Sequence, residues 1–130
     1  MTAGRPTAQL AKLGIRPGAR WRLDGAPADW AFEVAPERLE ETTATADVVI
    51  AFVTAAEQVP PTLERLESAI FPTGALWIAW PRKAAGHVSD VTDTVIREAA
   101  LSRKLVDTKV AAIDSDWSGL KLVWRLSARS

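Results

Sequence analysis

The sequence predicts a small three-layer α/β domain in which a mostly parallel sheet is closed by a C-terminal antiparallel hairpin. Two apolar runs carry most of this reading. Val48-Val49-Ile50-Ala51-Phe52-Val53 and Ala75-Leu76-Trp77-Ile78-Ala79-Trp80 are each six residues long, and neither alternates in polarity. A strand with one wet face alternates; one covered on both faces does not, which is how strands read when helices pack above and below a parallel sheet. The third observation is a short connection. Leu105 to Ile113 and Leu120 to Leu126 read as strands joined only by Asp114-Ser115-Asp116-Trp117-Ser118-Gly119. That is too short for a parallel crossover, so the two must pair antiparallel.

The remaining elements follow in chain order. Thr7 can cap a short first helix, with Leu10 and Leu13 on one stripe and Gly14 ending it. Pro17-Gly18 marks a turn, and Arg20 to Leu23 reads as a strand stopped by Asp24-Gly25-Ala26-Pro27. Residues 28–45 carry weak signals: a short helix over Asp29 to Val34, ended by Pro36, then a short edge strand over Arg38 to Thr42. Thr54 can cap a helix over residues 55–70, broken at Pro60-Pro61, with Val59, Leu63, Leu66 and Ile70 along one side. Arg82 to Val88 is a loop. Ser89 or Asp90 can cap the next helix, whose Val91, Val95 and Ala99 are spaced to face inward, with Asp90 and Asp93 at the positive end of its dipole. The strands and helices belong to one domain over residues 1–130, with residues 1–6 a flexible lead.

Composition excludes several classes of function. At 130 residues, with 48% hydrophobic and 25% charged residues, the chain suits one globular domain and not a disordered segment. No apolar run approaches the ~20 residues of a membrane span, and the N-terminal residues lack the apolar core of a secretory signal, so a cytoplasmic location is expected. The absence of cysteine removes disulfides, thiolate metal sites and cysteine nucleophiles. A single histidine removes histidine metal clusters, an Asp114 and Asp116 carboxylate site lacks further ligands in its own loop, and no Gly-x-Ser-x-Gly motif exists. No resident metal is expected.

A formal net charge of zero argues against a nucleic-acid partner. The charge is nonetheless segregated. Residues 1–23 hold five basic residues and no acid, residues 24–67 hold ten acids against Arg38 and Arg65, and residues 68–130 hold nine basic and six acidic residues. Either the segments neutralise one another in the fold or they form a two-faced surface for self-association, so monomer and homodimer both stay open. Six tryptophans in so small a domain suggest some half-exposed rings at a pocket or interface. Trp77 and Trp80 should point to opposite faces of their strand, Trp77 beneath a helix and Trp80 at the rim, while Trp21 and Trp30 can pack against each other.

Ile15 to Asp24 (IRPGARWRLD) resembles the lead-in to the first strand of class I S-adenosylmethionine-dependent methyltransferases. Ile70 to Ile78 (IFPTGALWI) resembles the turn and fifth strand of that Rossmann-like fold, and the helix-then-hairpin ending is similar to its C-terminal half. Nearly the whole chain resembles a family of small bacterial proteins sharing a GALWIAWP-K stretch (Gly74 to Lys83) and a D-x-x-WSGLK stretch (Asp114 to Lys121). That resemblance implies a methyltransferase-like fold, in which the strands 20–23, 47–53, 75–80, 119–127 and 105–113 lie side by side, and no particular activity. Methyltransferase cofactor sites have a turn rich in glycine after the first strand. This chain has Gly25 alone, with Pro27 after it, and residues 24–47 leave little room for the strands and helices that complete an adenosine site. Glu40 or Glu41 is the remaining choice for a ribose-binding acid.

Two readings of function follow. The first is a non-enzymatic binding or interaction domain without a cofactor, taking a small anionic molecule or a protein. Open α/β sheets bind ligands at the carboxyl ends of their strands. There Trp80, Arg82, Lys83 and His87 should meet Asp114, Asp116, Trp117 and Ser118. Two adjacent cations beside a helix start near Ser89 suit a phosphate or carboxylate, and Trp117 suits stacking. The plainer reading of the same residues pairs Arg82 and Lys83 with Asp114 and Asp116, and gives His87 a neighbour in Asp90 or Asp93. The second reading is a methyltransferase binding S-adenosylmethionine at Asp24, Gly25 and Ala26 in a reduced site.

Overall fold

The computed structural model describes residues 8–16, 18–33, 40–41, 45–83 and 86–129. Among the described residues six strands form one sheet: β1 (Arg20–Asp24), β2 (Glu40–Glu41), β3 (Val48–Phe52), β4 (Ala75–Pro81), β5 (Leu105–Ala112) and β6 (Trp117–Trp124). Their order is β2-β1-β3-β4-β6-β5. The first four run parallel, and β6 lies antiparallel between β4 and β5. The predicted fold class and strand order are therefore those observed.

β3 and the first five residues of β4 are buried throughout, so both faces of the sheet's centre need cover. On one face α2 (Val59–Leu66) and α3 (Asp93–Leu101) supply it, packing Val59, Leu63, Leu66, Ile96 and Ala100 onto Val49, Ala51, Leu76 and Ile78. On the other face α1 (Ala8–Leu13) sets Leu10 and Leu13 onto Val48, Ile50 and Trp77. Trp77 is fully buried there, and its indole N–H donates to the Leu13 carbonyl at 3.1 Å. That bond satisfies the ring's one polar atom and a carbonyl at the end of α1. Gly14 follows at φ +78°, the left-handed residue that ends the helix as expected. Gln9, also buried, donates to the Ile113 carbonyl and accepts from the Glu33 amide, tying α1 to the end of β5 and to the segment after β1.

Local chemistry moved several boundaries. Pro60 and Pro61 do not break the second helix. They occupy the first turn of α2, where a missing N–H costs nothing, behind a 3-10 turn over Ala56–Gln58. The cap is Ala55 rather than Thr54, because the Gln58 amide oxygen reaches back to accept from the Thr54 and Ala55 amides. Thr92, not Ser89 or Asp90, caps α3, its hydroxyl accepting from the Val95 amide at 3.2 Å. Ser89 instead donates to the Thr54 carbonyl, and Asp90 accepts from the Ala56 amide. With the helix starting there, Ile96 and Ala100 are its buried residues, and Val95 and Ala99 lie at the margin. Val91 is buried ahead of the helix.

β6 begins at Trp117 and ends at Trp124, so the hairpin turn is shorter than expected and Trp117 and Ser118 are strand residues. Of the helix expected over Asp29 to Val34, residues 29–33 are not helical, and Val34 lies outside the described residues. So do the Thr7 cap, residues 1–6, Pro36 and Arg38; the described edge strand is Glu40–Glu41. Trp21 and Trp30 meet through Phe32, whose ring is edge-on to both at 5.3 and 5.0 Å. No helix among the described residues is long and apolar enough to cross a membrane.

Gly119 marks the tightest approach of β6 to the α1 face. A Cβ there would stand 2.8 Å from Ile113 Cδ1 and 2.9 Å from Trp77 Cε3. Gly119→Ala is expected to cost about 1–3 kcal/mol through overpacking. Urea denaturation checks this, and an unchanged midpoint contradicts it.

Candidate functional site

The carboxyl ends of β1, β3, β4 and β5 converge on one edge of the sheet. β4 ends in Pro81, and the Arg82 amide donates to the Asp116 carbonyl at 2.9 Å. The Arg82 guanidinium donates to the carbonyls of Asp114 and Ser115 at 3.2 and 3.4 Å. Arg82 therefore grips the backbone of the hairpin turn rather than its carboxylates. Asp114 is occupied from within: one carboxylate oxygen accepts the amides of Asp116 and Trp117 at 2.8 Å, and the other accepts the Trp30 indole N–H at 2.9 Å. His87 Nε2 lies 3.1 Å from Asp116 Oδ1, so its neighbour is Asp116 and neither Asp90 nor Asp93. Lys83 is exposed and has no carboxylate partner among the described residues.

The structure thus brings Arg82, His87, Asp114 and Asp116 into one latch, with Trp117 beside it, its ring edge-on to Phe52 at 5.0 Å. Trp80 lies on the opposite face against the α2 and α3 cluster, and Ser118 is its partner across the β4–β6 ladder. The two cations do not adjoin a helix start, since α3 begins at Asp93. A cavity of about 180 Å³ sits between Pro27, Asp29, Trp30, Asp114, Asp116 and Trp117.

The end of β1 is built differently. Asp24 accepts a bidentate pair of hydrogen bonds from Arg65 of α2, at 2.6 and 2.9 Å, with Arg22 at 4.0 Å. Hydrogen bonding to Asp24 raises the Arg65 pKa above its ordinary value, against a smaller opposing effect of burial. Gly25 has φ +69°, and a Cβ there would meet the Phe52 carbonyl at 3.2 Å, so the turn lies close against the end of β3. Ala26 packs into the aromatic cluster on the α1 face. The cleft lined by Asp24, Gly25, Gln58, Thr62 and Arg65 holds about 270 Å³, below the roughly 300–1,000 Å³ of small-molecule pockets. In this structure the cleft is small and its carboxylate is already paired with Arg65. The sequence reading missed Arg65. Its signal was there, as one of two cations in the acidic stretch 24–67.

No protein-family model matches the sequence, and no curated protein matches it. Solved structures do match the fold. The ribosomal protein L11 methylase of Lactobacillus delbrueckii subsp. bulgaricus superposes with a TM-score of 0.55 at 11% identity, covering 90% of this chain and 75% of that one. The B. subtilis tRNA methyltransferase TrmK gives 0.55 at 10% identity, over 94% and 68%. A protein in the NADB-Rossmann superfamily from Streptococcus agalactiae gives 0.50 at 10%, over 92% and 69%.

The chain has a Rossmann-like, methyltransferase-like fold. At such identities the likeness concerns the fold alone.

Arg82 and Lys83 are adjacent but not equivalent. Arg82→Ala leaves two carbonyls of the hairpin turn without their donor and is expected to lower stability by about 1 kcal/mol. Lys83→Ala is expected to stay within about 0.5 kcal/mol of the parent. Thermal denaturation of the two variants side by side checks the difference.

Proposed function

We propose that this chain is a non-enzymatic binding or interaction domain built on the methyltransferase-like fold. The observation that carries this is the bidentate Asp24–Arg65 pair, which employs the one carboxylate at the end of β1 in a contact between structural elements. The same holds along the edge. Asp114, Arg82 and His87 each have a partner within the fold, so the groups that would do chemistry there hold loops together instead. In this reading the loop from Arg82 to His87 and the turn before Trp117 form the contact surface, where an anionic group on the ligand or partner meets Lys83.

A second reading, a methyltransferase with a reduced cofactor site, has its own support. Two of the structural neighbours named above are described as a methylase and a methyltransferase. The cleft at Asp24 and Gly25 lies at the carboxyl ends of β1 and β3, the edge where open α/β sheets take ligands. When bound, the cofactor would supply the methyl group; Gly25 would allow close backbone approach, and Arg65 would have to release Asp24.

Isothermal titration with S-adenosylmethionine and S-adenosylhomocysteine separates the two. The binding-domain reading expects no saturable heat with either. Low-micromolar binding that Gly25→Val abolishes would overturn it in favour of the methyltransferase. A thermal-shift screen of small anions on the parent and on Lys83→Ala then tests the proposed contact surface, since a ligand that binds only the folded state raises its apparent stability.

A further inference from the structure

The basic N-terminal segment is only partly matched by carboxylates among the described residues. The later segments find counter-charges: Arg103 reaches Glu67 and Glu64, and Arg97 joins Asp93 to Asp107. Within residues 1–23, Arg22 lies 4.0 Å from Asp24. Lys12 and Arg16, at the C-terminal end of α1, meet no carboxylate among the described residues. Beside them on the sheet stand two more cations. Lys109 of β5 and Lys121 of β6 are direct partners across the ladder. Like charges placed directly opposite in a sheet are destabilising, and neither lysine has an ion-pair partner among the described residues.

These four cations line one groove on the α1 face. A cavity of about 370 Å³ is bounded by Lys12, Gly14, Arg16, Lys109 and Lys121. It shares Gly14, Arg16 and Lys121 with a second cavity of about 510 Å³ that runs past Asp47 to Val48 and Ala75, the first residues of β3 and β4. That volume lies within the range of small-molecule sites. Asp47, the one carboxylate among the described lining residues, accepts the Arg20 amide at 2.9 Å. Lys12 is braced by donating to the Ala112 carbonyl at 2.9 Å, and Lys109 reaches the Lys12 carbonyl at 3.4 Å. Arg16 and Lys121 have no side-chain partner among the described residues. Two cations are thus positioned and two are available, in a concave site whose walls focus their field.

We propose that this groove is a binding site for a small polyphosphate-bearing ligand. The phosphates bridge Lys109 and Lys121 and take the guanidinium of Arg16, whose planar fork suits phosphate oxygens. The site lies at the amino ends of the parallel strands, opposite the edge where this fold holds its usual ligands, so it stands or falls apart from both readings of that edge.

Inorganic tripolyphosphate, titrated calorimetrically at low ionic strength, is the probe. Saturable binding is expected, weakening as salt rises. Lys109→Gln with Lys121→Gln should lower the affinity roughly tenfold or more, since two charged hydrogen-bond donors are lost. Without ligand, that double variant should melt at or above the parent temperature because a like-charge pair is gone, and tripolyphosphate should raise only the parent's melting temperature. ATP binding more tightly than tripolyphosphate names a nucleotide as the source of the phosphates; equal binding names the bare polyphosphate. No binding at low salt, or undiminished binding by a folded double variant, overturns the proposal. So does binding of a single-stranded oligonucleotide where tripolyphosphate fails.

Discussion

The fold rests on one constraint: the paired strands β3 and β4 are apolar on both faces and must be covered on both. Val49, Ala51, Leu76 and Ile78 face α2 and α3, while Val48, Ile50, Trp77 and Ala79 face α1 and the segment after β1. Interrupting either cover exposes a row of β-branched and aromatic groups, each of which stabilises by about 1.5–3 kcal/mol when buried. The side with less helix is compensated by Trp77. A six-residue helix is too short to be stable alone. The Trp77 indole, held on the Leu13 carbonyl, and the Gln9 amide, held on Ile113 and Glu33, dock it.

At the carboxyl edge the same economy applies to polar groups. Each strand ends in a loop whose backbone needs partners, and the side chains nearby provide them. Arg82 satisfies carbonyls of the hairpin turn, Asp114 satisfies two amides and the Trp30 indole, and Gln58 satisfies two amides ahead of α2. Such mutual satisfaction lets a chain with a short crossover between β1 and β3 close its sheet edge with aromatic rings. Phe32, Trp30, Phe52 and Trp117 run edge to face across it with centroids 5.0 Å apart. The chain shares its fold with methyltransferases, and the end of its β1 carries an ion pair between β1 and α2.

Zero net charge conceals an uneven surface. Pairing across segments accounts for Arg103 with Glu64 and Glu67, and pairing within segments accounts for Arg65 with Asp24 and for Arg97 with Asp93 and Asp107. Neither accounts for the cations around α1, because the sheet brings Lys109 and Lys121 from the other end of the chain to the same place. A basic groove arises there from residues that are scattered in sequence.

The sequence by itself determined the layers, while the strand order came with the resemblance to methyltransferases. Six-residue apolar runs without alternation can only be doubly covered strands, and a connection as short as Asp114 to Gly119 can only make a hairpin. It determined the buried stripe of α2 for the same reason, since helical period places Val59, Leu63, Leu66 and Ile70 together whatever surrounds them. What it left open was every polar partnership. His87 was as near in sequence to Asp90 as Asp116 is near in space, and Arg82 could choose between carboxylates and carbonyls of one turn. Arg65 with Asp24, Trp30 with Asp114, and Lys109 beside Lys121 join residues far apart in the chain or set by ladder register. A hydrogen bond or ion pair is decided by distance and direction over a few ångströms. Hydrophobic pattern fixes which face a residue takes but not that geometry, so the tertiary structure alone decided which polar groups were spent on the fold and which remain for a ligand.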